Sequence, residues 1–204
     1  MRVISAFIAA FLYVAFTQNL VFTGGYGSSE AIRSAARPRQ IALFSIMIAY
    51  FSTVTSLICR VLLFIPALKN GSIIVSLAVY TIVLTIVYFI SVFILKILLS
   101  QSDWTEIEEE KFFRQTALSA FNTIVLAVPF INQRATYSVG ESIAQGLGAG
   151  AAFLIATVLI HIGMRKLENN EEIPLSFKGA PSLLMYIAII CLAFTGILGK
   201  SLFF

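Results

Sequence analysis

Long apolar runs alternate along this chain with short polar interruptions, and the runs are too continuous for amphipathic surface helices. Six of them approach the roughly 20 apolar residues that a helix needs to cross hydrocarbon: Val3 to Phe22, Ile41 to Leu68, Ser72 to Leu99, Thr116 to Ile131, Ser142 to Met164 and Ser182 to Leu198. Arg60 is the only charge inside the second run and Lys96 closes the third, while the fourth is short and carries Asn122 and Pro129. Membrane β-strands would read as alternating, half-polar segments. The pattern therefore predicts an all-α integral membrane protein with six transmembrane helices.

Composition agrees. Hydrophobic residues make up 59% of the 204 positions and charged residues 12%, which leaves no room for a soluble domain. A cleaved signal peptide is the alternative for the first run, but Arg2 is its only leading charge and no small-residue cleavage pattern follows. Cys59 and Cys191 lie far apart in apolar segments, and His161 is the only histidine, so a self-contained metal or redox centre is not expected.

With six spans, the connections after the first, third and fifth share one face. Arg33, Arg37, Arg39, Lys96, Lys111, Arg114, Arg165, Lys166 and Lys178 fall there, against Arg2, Lys69, Arg134 and Lys200 opposite. The excess of basic residues marks the cytoplasmic side, which puts both termini outside the cytoplasm. Arg60, two turns before the outer end of its predicted helix, is expected to snorkel to the interface. His161 and Trp104 are expected at cytoplasmic interfaces, and Glu106 to Glu110 as a solvated helix start capped by Asp103.

The acidic stretch "QSDWTEIEEEKFFRQ" falls near the midpoint and divides the chain into residues 1–100 and 101–204, three spans each. An odd number of spans per half gives the halves opposite orientations, an inverted repeat within one membrane domain. Asn19 precedes "LVF" in the first helix of the first half, and Asn122 precedes "TIVL" in the first helix of the second. Each helix is then expected to break, at Gly24, Gly25 and Gly27 in one case and at Pro129 in the other. Paired discontinuous helices point to a site near the midplane, although a plain loop and a proline kink would leave the same trace. In the fifth run, Gly146 and Gly150 of "GLGAGAA" are spaced for close helix packing.

The block "GLGAGAAF", followed by "MRKLENNEEIPLSFKGAPSLLMYIAIICLAFTGILG", resembles the six-helix A/E-type membrane subunits of Rnf and Nqr electron-transport complexes. The resemblance rests on a glycine-rich fifth helix, a turn made by Ile173, Pro174, Phe177 and Gly179, and a helix carrying Leu192, Ala193, Phe194 and Gly196. Outside about the last sixty residues it extends to architecture and to a weak echo in the first helix. Family members carry Asn-Asn-x-Val-Leu and Gly-Leu-Cys-Pro in the first helix and Thr-Thr-Asn-Cys in the fourth. The two cysteines, with two from a partner subunit, hold an iron–sulfur cluster that relays electrons across the bilayer.

Laid on this sequence, the family pattern matches Asn19, Gly27 and Asn122, but its cysteines fall on Ser29 and Thr123. Hydroxyls substitute poorly for the soft anionic sulfur that such clusters require. The resemblance therefore implies a divergent member that keeps the broken helices and binds no cofactor of its own, with iron–sulfur and flavin groups in partner subunits. It implies a non-catalytic membrane subunit of a redox-driven sodium or proton translocase in a prokaryotic inner membrane. Asn19, Thr23, Asn122 and Thr123 are the candidate midplane polar or ion site; the same groups also serve as glue between helices. Its partners would be other membrane subunits and the bilayer, not nucleic acid. A stand-alone inverted-repeat transporter and an assembly scaffold are the competing readings.

Overall fold

The computed structural model describes residues 2–63, 72–99 and 106–199. Among these, the regular structure is helical: α1 (Arg2–Leu12), continued by a π-helical turn (Tyr13–Thr17), then α2 (Leu20–Gly24), α3 (Ser28–Ala35), α4 (Pro38–Leu62), α5 (Ile73–Leu99), α6 (Glu106–Ala120), α7 (Thr123–Ala135), α8 (Val139–Glu168) and α9 (Ala180–Ile197). Taking α6 and α7 as one interrupted segment, five helices are long and apolar enough to cross a membrane, and Ile4–Thr17 is a shorter apolar helix before them. The protein is an all-α, multi-pass membrane protein.

The boundaries bear out one detail of the sequence reading and correct two. Glu106 to Glu110 begin a helix as expected, and that helix, α6, runs to Ala120, so the fourth segment starts ten residues before Thr116. Acidic side chains suit the first turn because they face the positive end of the helix dipole. Arg60 lies in the last turn of α4, closer to its end than expected, and its Nε is buried with no partner among the described residues. Asp103 and Trp104, with Lys69 and Lys200, lie outside the described residues.

α4 and α8 form the central pair. A Cβ on Gly146 would come within 2.5 Å of the Thr53 Cα, and one on Gly150 within 2.8 Å of the Ser45 carbonyl oxygen. Bare glycine surfaces thus let the two backbones approach, as the small-residue spacing predicts; with apolar lipid outside, such close packing rather than water exclusion holds membrane helices together. Later residues of α8 meet earlier residues of α4, so the helices run antiparallel.

Around this pair the packing falls into matching sets. α1, the π-turn and α3 lie on α8, as α6 and α7 lie on α4; α9 reaches α2, as α5 reaches α7. The outer helices α5 and α9 bury little of their apolar surface, which leaves Ile82, Phe89 and Phe93 on one and Leu184, Ile189 and Leu192 on the other exposed. α8 starts at a reciprocal capping box: Ser138 Oγ accepts from the Glu141 amide at 3.4 Å, while Glu141 Oε2 accepts from the Ser138 amide at 2.8 Å.

Candidate functional site

The first segment loses helical register before its glycines are reached. The Gln18 amide donates to the Tyr13 carbonyl at 2.7 Å, a five-residue return that widens the turn. Asn19 then caps α2: its Oδ1 accepts from the amides of Val21 at 3.2 Å and Phe22 at 3.4 Å. Its Nδ2 donates to the Ala152 carbonyl of α8 at 3.0 Å and to the Ala15 carbonyl at 3.4 Å. Gly25, at φ +69°, ends α2 in the left-handed conformation, and Gly27, also at φ +69°, precedes α3. Two left-handed positions in close succession separate the short helices, a geometry that side chains with a Cβ resist.

The second break is at Asn122, not at Pro129. α6 ends at Ala120, Asn122 is extended, and its Oδ1 accepts from the Ile124 amide at 3.1 Å to cap α7. Pro129 is buried inside α7, which continues past it to Ala135. A proline removes one backbone donor, but packing of Val125, Val128 and Asn132 on both sides holds the helix together. The two asparagines thus do the same job in the two halves, each capping the helix that restarts after a break.

The breaks meet. The Gly27 amide donates to Thr123 Oγ1 at 2.7 Å, and a Cβ on Gly27 would lie 2.6 Å from Asn122 Oδ1. Beside this contact is an open cleft of about 300 Å³, lined among others by Gly27, Ser29, Glu30, Asn122 and Thr123. Ser29 and Thr123 therefore share one cleft. The amino ends of α3 and α7 converge there, so the local field favours electronegative groups. Asn122 is 2% exposed and its Nδ2 has no partner among the described residues.

The expected four-residue polar group is divided. Asn122 and Thr123 line the cleft, whereas Asn19 is fully buried with both side-chain polar atoms engaged. Thr23 Oγ1 lies 2.6 Å from the Gln18 carbonyl and 3.0 Å from that of Asn19, so it is turned back on its own turn. Glu30, half-buried in the first turn of α3 and paired with Arg33, brings a carboxylate to the cleft. It escapes the sequence reading because "GGYGSSE" looks like a loop beyond the first span.

A second polar region is also missed. Ser52 and Thr55 of α4 and Ser142 and Gln145 of α8 are at most 1% exposed, and the side-chain polar atoms of all four are without partners among the described residues. Asn132 of α7 donates to Ser56 Oγ but leaves its own Oδ1 unpartnered. Serine, threonine and glutamine at three- and four-residue spacing inside apolar runs were the signal that could have found it. Cys59 is buried on α4 and Cys191 half-buried on α9, neither of them lining the cleft. His161 Nδ1 donates to the Ala35 carbonyl at 2.7 Å, tying α8 to the end of α3.

No family model matches the chain. It is 33% identical over 81 residues to the A-type subunit of the Na(+)-translocating ferredoxin:NAD(+) oxidoreductase complex of Acetobacterium woodii, covering 40% of this chain and 42% of that one. The A-type subunit of the ion-translocating oxidoreductase complex is 32% identical over 78 residues in Aromatoleum aromaticum and 33% identical over 78 residues in Vibrio vulnificus. The chain is similar to the A-type subunits of these complexes. In each case the match spans about two fifths of the relative's length. The likeness agrees with the A/E-type resemblance of the glycine-rich and Ile-Pro-x-x-Phe motifs.

Proposed function

We propose that this chain is a membrane subunit of a multi-subunit, ion-translocating oxidoreductase complex, in which it shapes the membrane path and does not itself carry electrons. The observation that carries the reading is the meeting of two capped helix breaks, with Ser29 and Thr123 in one cleft. Those are the positions where the family resemblance puts thiolates, and this chain offers hydroxyls. Thr123 Oγ1 is already engaged with the Gly27 amide. That donor set does not fit an iron–sulfur cluster, so iron–sulfur and flavin groups belong in this reading to partner subunits.

The role is structural or ion-conducting. Asn19, engaged with its own turn and with Ala152 of α8, and Thr23, engaged with its own turn, act as structure; the buried polar groups between α4, α7 and α8 are the better route for sodium or protons, since polar side chains inside a membrane are retained for such pathways. In a prokaryotic inner membrane, the convergence of Arg33, Arg37, Lys111 and Arg114 at one end supports that end as cytoplasmic and both termini as external. Division into inverted halves at residue 100 is supported by the matched packing of α1–α5 and α6–α9. The same buried polar groups favour, as a second reading, a stand-alone transporter.

The deciding experiment is purification of the tagged protein from its native membrane in mild detergent, with mass spectrometry of whatever accompanies it. Flavin- and iron–sulfur-bearing subunits in fixed proportion are expected. A clean homo-oligomer with substrate-dependent uptake in liposomes would replace the complex by the transporter.

A further inference from the structure

A strongly basic concavity lies apart from the cleft at the helix breaks. A cleft of about 410 Å³ opens between α3, α4 and α6, and Arg33, Arg37, Lys111 and Arg114 line it, with Glu110 the one acidic side chain among its lining residues. Arg33 is paired with Glu30, but Arg37, Lys111 and Arg114 make no ion pair among the described residues. The amino end of α4 starts immediately after Arg37 and adds its positive partial charge.

Ser34 supplies an independent sign of a ligand. It lines the same cleft, is only 4% exposed, and its Oγ has no partner among the described residues. A buried hydroxyl left unpaired costs free energy unless something satisfies it. The turn that carries it is fixed, because the Arg37 amide donates to the Ser34 carbonyl at 2.9 Å. A buried hydroxyl in one cleft with guanidinium and ammonium groups matches a phosphate: oxygen acceptors for Ser34, negative charge for the cations, and bidentate geometry for arginine.

We infer that this cleft binds a phosphate group, carried either by the headgroup of an anionic phospholipid or by a soluble phosphate compound. Its place argues for recognition at the membrane edge, since Arg37 stands at the start of one apolar segment and Arg114 just before the apolar part of another. Basic pockets between membrane helices on the cytoplasmic side are suited to acidic headgroups. The inference does not depend on membership of an electron-transport complex.

The test uses the full chain in nanodiscs of neutral phosphatidylcholine. One arm adds phosphatidylglycerol or cardiolipin and counts retained lipid by native mass spectrometry; the other measures binding of radiolabelled inorganic phosphate at low salt. The variant Arg37→Gln/Arg114→Gln is compared with Arg39→Gln, an exposed neighbour outside the cleft. Removal of two charges is expected to weaken binding roughly 30-fold in one of the arms, with the control unchanged. Loss in the lipid arm alone identifies a headgroup site, and loss in the phosphate arm identifies a soluble ligand. Equal binding by wild type, double variant and control in both arms overturns the inference. Should the double variant misfold, Lys111→Gln, an exposed single change, is read in the same way.

Discussion

The amide of Gly27 donates to Thr123 Oγ1 at 2.7 Å, across 96 residues of sequence. This bond joins the two interrupted helices at their restarts, and the left-handed backbone of Gly27 makes it possible: a residue with a Cβ would be strained at φ +69° and would press on Asn122 Oδ1. Local conformation and long-range contact thus depend on the same missing side chain.

Gly27→Ala is accordingly expected to destabilise the protein by about 2 kcal/mol or more, combining left-handed strain of roughly 1 kcal/mol with the clash. Gly25→Ala, at the same φ but with nothing within 4 Å of its Cβ, should cost about half as much. Thermal unfolding in detergent, followed by loss of monodispersity, gives both values; equal midpoints would mean that the contact with Asn122 contributes nothing.

The two capping asparagines should differ in cost. Asn19→Ala removes a cap and an interhelical bond to Ala152, an expected loss of about 2 kcal/mol; Asn122→Ala removes one capping bond and an already unpaired donor, about 1 kcal/mol. The same unfolding assay orders them, and a larger loss at Asn122 would point to an undiscovered partner for its Nδ2.

At the α4–α8 seam, Gly150→Leu is expected to abolish folding into the membrane, because the added side chain meets Ala49 Cβ and the α4 backbone, neither of which can move aside. Gly140→Ala, in the first turn of α8 with open space around it, should be neutral or stabilising by about 0.5 kcal/mol. Yield of monodisperse protein from membranes separates the two.

Gln145→Leu tests the buried polar region. If the region only packs, leucine removes two unsatisfied polar atoms and unfolding temperature rises. In the ion-conducting reading, the variant folds and assembles but loses sodium- or proton-coupled transport of the reconstituted complex by at least roughly tenfold; unchanged coupling would exclude Gln145 from the path.

Cys59→Ala/Cys191→Ala should leave the iron content of whatever purifies with this chain unchanged per mole of the chain, because neither thiol lines the cleft at the breaks. A fall in iron by inductively coupled plasma spectrometry would assign a cluster to ligands outside the family positions.

Membrane character, helical class and most segment boundaries were legible along the chain, since spanning hydrocarbon demands long apolar runs whatever the fold around them. Gly146 and Gly150 announced a close helix contact by spacing alone. The breaks were legible only in outline. Proline weakens a helix in isolation, so Pro129 drew attention from Asn122, yet buried neighbours keep Pro129 helical while the asparagine side chain supplies a better stopping point.

The run of apolar residues, its punctuation and the placement of basic residues determined what solvent this protein occupies and where each helix could lie. Tertiary structure alone decided that Gly27 reaches Thr123, that Ser29 and Glu30 share their cleft, and that Arg33, Arg37, Lys111 and Arg114 line one cleft with Ser34. Periodicity reports the environment of each residue along one helix, whereas contacts between distant helices depend on how several backbones approach at once, and that is set by packing.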